Sequence, residues 1–279
     1  MAEIGFLKGW IGQQERAEDR AAPPPLAGLA ALLDHAAPPW REGEAPPLSH
    51  WLYFLPRARQ SEIDIDGHPK RGGFLPPVAL PRRMFAGARL AFQAPIAIDA
   101  ALARVSTIAD VAEKTGASGR MVFVTVRHEV FADGAPALTE EQDIVYREAA
   151  KPGGVPAAAP EARASDVTRT IRPDPVLLFR YSALTFNGHR IHYDRDYARA
   201  VEGYPGLVVH GPLIAMLLMD HFLRAHPGAA VRRFSFRARR PLFDTAPFDL
   251  CLKATAGGAE LWARDASGAA AMTAEVDAA

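Results

Sequence analysis

Apolar and polar residues along the chain follow two rhythms. Alternation with a period of two predicts strands at residues 85–96, 101–115, 120–131 and 137–148, and again at 230–243, 247–256 and 259–276. Asp133-Gly134 and Gly257-Gly258 lie between such runs, where a tight hairpin needs residues that tolerate positive φ. A helical rhythm appears twice. LAGLAALLDHA (26–36) follows Pro23-Pro24-Pro25, and LIAMLLMDHFLRAHPG (213–228) follows Gly211-Pro212. In the second of these, Leu213, Met216, Leu217, Phe222 and Leu223 form a buried face, with proline near the first turn and Pro227-Gly228 as a stop. Residues 10–20 and 50–55 (HWLYFL) read as strands, and 168–186 as extended chain broken by Pro173 and Pro175. Residues 57–83 and 187–204 are long polar loops.

The pattern stops at 151–165, KPGGVPAAAPEARAS, which has no hydrophobic period and the Pro, Ala and Gly content of an extended linker. The expected domains are therefore 1–150 and 167–279, joined by 151–166. Each half offers one helix and several long antiparallel strands, the grammar of one sheet curled around a central helix and used twice. The best internal match is RRMFAGARLAF (82–92) against RRFSFRARRPLF (232–243).

Composition narrows the function classes. Of 279 residues 49% are hydrophobic, enough for a large core. Lys+Arg and Asp+Glu are both 32, so the basic excess of a general nucleic-acid binder is absent. Cys251 is the single cysteine, which excludes an internal disulfide framework, and its apolar strand FDLCLKA places it in the core. No apolar run reaches the roughly 18 residues of a membrane helix, and the first twenty residues become charged too early for a signal peptide. The expectation is a soluble cytoplasmic protein without a membrane or nucleic-acid partner.

Two segments carry candidate chemistry. FNGHRIHYD (186–194) gathers Asn187, His189, Arg190, His192, Tyr193 and Asp194 in a loop. His192 is the natural general base, since imidazole takes and returns a proton near neutrality. Asn187 can orient water or a carbonyl but cannot carry a proton. His189 and His192 at three-residue spacing lack further ligands in a recognised pattern, so no metal is expected. In GLVVHGPL (206–213), His210 and Gly211 open the buried helix. The first helical turn has unpaired N–H groups and a positive dipole end, suited to polarising a thioester oxygen. Pro212 has no N–H, which leaves Gly211 or a later residue as donor.

Together these segments resemble the MaoC-like, (R)-specific enoyl-CoA hydratases. Their signature, Gly-Asp-x-Asn-Pro-(Ile/Leu/Val)-His, is followed later by a Val-x-His-Gly helix opening. FNGHRIH is in register with the first part and VVHGPL with the second. RIHYD, EGYPGLVVHGPL and RRMFAG look most like two-domain members, the mesaconyl- and itaconyl-CoA hydratases. The resemblance implies an α+β double hot-dog fold with a degenerate first copy and a catalytic second one. It implies His192 as catalytic histidine, Asn187 at the usual aspartate position and Gly211 as oxyanion donor. Asn187 departs from the aspartate and His189-Arg190 from Asn-Pro, so His192 is expected to move the proton while Asn187 holds the water.

The implied reaction is reversible hydration of a 2-enoyl-CoA, a branched C5 dicarboxylyl thioester such as itaconyl-CoA or mesaconyl-CoA. No cofactor is expected, CoA being part of the substrate. His189 and His210 would line the substrate, Arg190 would meet a free carboxylate, and Arg82, Arg83, Arg233 and Arg237 would meet CoA phosphates. Two fused hot-dogs can act alone or pair as a homodimer. A hot-dog acyl-CoA thioesterase and a non-catalytic acyl-CoA-binding protein are the alternatives.

Overall fold

The computed structural model describes residues 2–116, 119–148 and 163–279, so most of the expected linker, up to residue 162, lies outside the described residues. In chain order the first half contains α1 (Ala2–Leu7), β1 (Gln14–Arg20), α2 (Pro23–Leu32), β2 (Glu44–Ala45), β3 (Arg82–Phe92), β4 (Ile96–Ala97), β5 (Ala101–Gly116), β6 (Gly119–Ala132) and β7 (Ala135–Arg147). The second half contains β8 (Val167–Ile171), α3 (Pro175–Leu184), α4 (Arg195–Ala200), α5 (Gly211–Ala225), β9 (Val231–Ala238), β10 (Phe248–Thr255), β11 (Gly258–Arg264) and β12 (Ala270–Ala278).

Ten strands form one antiparallel sheet in the order β1-β5-β6-β7-β3-β9-β12-β11-β10-β8. Read inward from either edge, the order is the same in both halves. The halves meet where β3 pairs with β9, Leu90 opposite Phe234 and Ala88 opposite Phe236. These two strands are the segments with the best internal sequence match. Asp133 and Gly134 take φ of 48° and 81° and close the β6–β7 hairpin.

The interior follows from α5. Its residues Leu213 to Leu223 are all buried, and each fully buried Leu or Met side chain contributes about 1.5–3 kcal/mol. A single core joins α5 to Leu90 and Leu138 of the first half and to Phe234, Leu250 and Leu261 of the second. Asp220 lies within this buried helix. His35 (2.6 Å), Arg169 (2.7 Å) and Arg224 (2.9 Å) compensate its charge.

Four expectations need correction. The central helix is not duplicated. α2 packs against α3 of the other half, and the place of α5 in the first half holds only a 3₁₀ turn, Ser49–Leu52. That turn replaces the strand expected at 50–55. The extended segment at 168–186 is β8 followed by α3, because Asp174 caps Leu177 N–H at 2.8 Å and Pro175 pre-sets the first helical φ. The strand at 259–276 is β11 and β12, separated by a turn in which Asp265 accepts from the N–H groups of Ser267 and Ala269.

Candidate active site

The loop after α3 is built by its own polar groups. Phe186 turns left-handed, with φ of 48°. Asn187 N–H donates to Ser182 carbonyl at 2.8 Å, and Asn187 Oδ1 accepts from His189 N–H at 3.0 Å. The side-chain oxygen of Asn187 therefore shapes the loop, where the sequence suggested that it holds water. The chain then makes a 3₁₀ turn, Arg190–His192, and Asp194 caps α4 by accepting from Tyr197 N–H at 3.0 Å.

Two hydrogen bonds fasten this loop to the segment that opens α5. Val208 N–H donates to Ile191 carbonyl at 3.0 Å, and His192 Nδ1 donates to Val208 carbonyl at 2.8 Å. The second bond selects the tautomer whose Nε2 keeps its lone pair. No partner for Nε2 occurs among the described residues. Burial lowers the His192 pKa to about 4, so the ring is neutral at physiological pH. The His192 ring stacks on His210, centroids 3.6 Å apart and planes inclined by 19°. His210 immediately precedes Gly211, so the stack ties the His192 ring to the residue that opens α5.

His210 is itself buried. Its Nε2 meets Ser182 Oγ at 2.8 Å, whereas its Nδ1 and the nearby buried Tyr181 hydroxyl have no partner. Burial pushes the His210 pKa well down. No side chain caps the N-terminus of α5. A Cβ at Gly211 would only reach ordinary contact with the Phe85 carbonyl at 3.7 Å. The fold therefore does not itself demand glycine there, and the bare backbone faces the site.

Sequence reasoning missed what the first half contributes. Its 57–83 loop lies across the FNGHRIH segment. Arg190 N–H donates to Asp66 carbonyl at 2.9 Å, and Arg190 Nη1 donates to Ile65 carbonyl at 3.1 Å. Gly67 and Gly188 make the approach sterically feasible. A Cβ on Gly67 would lie 1.8 Å from Gly188 O, and the Gly67 φ of 91° disfavours any side chain. This contact delivers Asp66 and His68. Asp66 accepts from His68 N–H and from His68 Nδ1, both at 2.9 Å. The His68 ring lies 4.1 Å from that of His189, which meets His192 edge-on at 5.2 Å. Burial, together with the Arg83 guanidinium, lowers the pKa of His68. Burial, with His68, His192 and Arg83 nearby, lowers that of His189 strongly. Burial alone would raise the Asp66 pKa, but the His68 contacts hold it far below the usual carboxylate range. The available signal was the polar Asp-Gly-His-Pro turn inside an otherwise Pro/Gly-rich loop.

Ligand atoms of Asp66, His68 and His189 lie within 4.8 Å of one another, close enough for a shared ion. His68 Nδ1 and Asp66 Oδ2 hydrogen-bond to each other, and His189 meets them through its ring contact with His68.

The arginines divide. Arg190 grips Asp194 at 2.7 Å and lies 4.1 Å over the Tyr197 ring, and Arg82 pairs with Glu202 at 2.9 Å and lies over Tyr204. Both expected ligand contacts are thus taken by loop packing. Arg233 and Arg237 are exposed on the outer face of β9, opposite the buried Phe234 and Phe236. Arg83 is the half-buried guanidinium that faces His68 and His189. Two cavities lie elsewhere, one of about 240 Å³ beside Trp40, Phe92 and Leu223, another of about 180 Å³ around His50 and Glu140. The chemistry places the site better than cavity size does, because the histidine cluster joins both recognised segments.

A family model described as hydroxyacyl-thioester dehydratase type 2 matches residues 48–244, a span holding the 57–83 loop and both segments. Mesaconyl-C(4)-CoA hydratase of Chloroflexus aurantiacus is 48% identical over 270 residues, 96% of each chain. A MaoC-like dehydratase from Phytophthora capsici superposes with a TM-score of 0.70 at 14% identity, covering 99% of this chain and 98% of the other. A Mycobacterium tuberculosis protein described as having a double hotdog fold superposes with a TM-score of 0.58 at 13% identity, covering 99% and 97%. These structural likenesses show the fold, an α+β double hot-dog.

Proposed function

The chain belongs to the hydroxyacyl-thioester dehydratase type 2 family, and from that premise we propose that it reversibly hydrates a branched C5 dicarboxylyl-CoA of the mesaconyl type. It is a hydro-lyase. The observation that supports the reading is the His192–His210 stack, which joins an imidazole with no Nε2 partner among the described residues to the residue that precedes α5.

The steps follow from those two groups. His192 Nε2 takes a proton from water as the water oxygen bonds to the β carbon. The alkene electron pair moves toward the thioester, and negative charge develops on its oxygen. The Gly211 N–H donates to that oxygen, with the positive end of α5 behind it. One such donor lowers a barrier by about 3–4 kcal/mol. The imidazolium then returns the proton to the α carbon as the enolate collapses. Dehydration is the reverse.

Arg83 is the candidate for the free carboxylate of a dicarboxylyl substrate, since its guanidinium faces the cluster while Arg190 is held by Asp194. The test is direct. Purified protein is mixed with mesaconyl-C4-CoA, itaconyl-CoA and crotonyl-CoA, and loss of enoyl absorbance is followed beside a thiol reagent. We expect enoyl loss without thiol release, fastest with mesaconyl-C4-CoA. Thiol release from an intact enoyl substrate would make the protein a thioesterase. Binding without either signal would make it an acyl-CoA-binding protein.

A further inference from the structure

The hydratase reading leaves one chemical place unfilled. Asn187 stands where the resemblance implied an aspartate, and its Oδ1 is already bonded to His189 N–H. Attacking water has two O–H bonds, and His192 Nε2 accepts one of them. A second fixed acceptor would orient the oxygen lone pair toward the β carbon and keep the water from rotating.

We propose that the first half supplies that acceptor, the Asp66–His68 dyad. The inference rests on the hydratase reading of His192 and extends it. Asp66 Oδ2 takes the proton-bearing Nδ1 of His68 at 2.9 Å, while Asp66 Oδ1 takes the His68 backbone N–H at 2.9 Å. A ring held at Nδ1 in this way keeps its lone pair on Nε2. The ring is about one-fifth exposed, so water reaches it. It packs 4.1 Å from His189, the neighbour of His192.

The loop holding the dyad is itself fixed to the catalytic segment. Asp66 carbonyl accepts from Arg190 N–H, Ile65 carbonyl accepts from Arg190 Nη1, and Gly67 lies directly against Gly188. A solvated loop would need none of these contacts. His68 accepts a hydrogen bond from the nucleophilic water, and His192 removes the other proton. No further bond is made or broken, so the balance of the reaction is unchanged.

The experiment compares wild type, H192A, H68A, H68Q and D66N with mesaconyl-C4-CoA, each checked for an unchanged thermal midpoint. H68A should lose about 100-fold in kcat, within the range of a positioned acid–base group, with KM changed less than about threefold. H68Q keeps an acceptor oxygen and should recover about tenfold of that loss. D66N is the sharpest variant. An amide in place of the carboxylate lets the ring turn its proton to Nε2, which removes the acceptor while leaving the packing. Its kcat should fall almost as far as that of H68A, as expected when a ring is held in the wrong tautomer.

A kcat for H68A within about threefold of wild type overturns the proposal. So does a loss lying wholly in KM, which would make the dyad a substrate wall. So does a D66N enzyme with wild-type kcat. If H68A does not fold, H68Q and D66N decide the question alone. An active wild type with an inactive H192A and an unaffected His68 series sinks only this assignment. A wild type that turns over no enoyl thioester sinks the hydratase reading and this assignment together.

Discussion

The two halves share a strand order and differ in what fills the concave side of the sheet. In the second half a fifteen-residue helix, α5, occupies it. In the first half the chain between α2 and β3 holds the turn Ser49–Leu52, and a buried polar network lies beside it. Its centre is Glu140, which bonds His50 Nε2 at 2.8 Å, Trp51 Nε1 at 3.0 Å and Gln142 Nε2 at 3.0 Å. Beside it His128 Nδ1 meets Ser106 Oγ at 2.9 Å. Burial would raise the Glu140 pKa, but His50 holds it down, so the carboxylate stays charged.

The difference lies in which polar atoms are already paired. In the first half the carboxylate oxygens of Glu140 are saturated by fixed donors, and the open atom of its network is His50 Nδ1, on the far side of the ring that Glu140 holds. Among the described residues of the second half, His192 Nε2 and His210 Nδ1 have no hydrogen-bond partner, and the N-cap side chain of α5 makes no capping bond. Groups left open in this way cost stability, and they are the groups that can act on a thioester. The 57–83 loop carries polar residues of the first half to the second.

The largest test of this contrast is His192→Ala. Its kcat should fall about 10²–10⁴-fold, the range of a general base, with little change in thermal midpoint. A steady-state assay under saturating mesaconyl-C4-CoA reads it, and an unchanged rate removes His192 from the mechanism. The mirror experiment is Glu140→Ala. Removing one member of a buried charged pair costs about 3–5 kcal/mol, while the folded fraction should keep its kcat. Urea unfolding measures the first and active-site titration the second. A folded Glu140→Ala enzyme as slow as His192→Ala would merge the two regions and end the comparison.

What was legible in the sequence follows the same division. Alternation exposed the long strands β5 and β6, and Asp133-Gly134 exposed their neighbouring hairpin, because these signals are local. His192, His210 and Gly211 stood out as candidates because each sits in a short contiguous motif. The double hot-dog was legible from repeated element order and from the motifs, even though its second helix proved to be a turn. α3 was missed because Pro175 was read as a break, when after Asp174 it starts a helix. The roles of Arg190 and Arg82 were misjudged because their partners, Asp194 and Glu202, are chosen by packing. Asp66 and His68 stayed hidden because 121 residues separate His68 from His189, and they are brought together by the Gly67–Gly188 approach and the Arg190 bonds to Asp66 and Ile65.

The effect of pH reads both halves at once. Burial lowers His192 in one half and His128 in the other to about 4 each. An unfolded chain binds these protons near pH 6.5, whereas the folded chain refuses them until about 4. The unfolded state therefore binds more protons across that window, and stability rises as pH climbs from about 4 to 6.5. Below it the contribution is gone, and above it the contribution is complete. Thermal midpoints should accordingly stay level above neutrality and decline as the solution is acidified. The groups facing His192 are His68, His189 and His210, with Asp66 behind His68, and the histidines are held neutral by the same burial. The acid limb of kcat/KM for the folded enzyme should therefore lie near 4. His128→Asn should flatten the stability profile and leave that limb in place, because His128 bonds Ser106 far from the reaction. A limb at 6.5 in the wild type would mean that water solvates His192 in the free enzyme, and the contrast between a dry, open base and a saturated network would then fail at its centre.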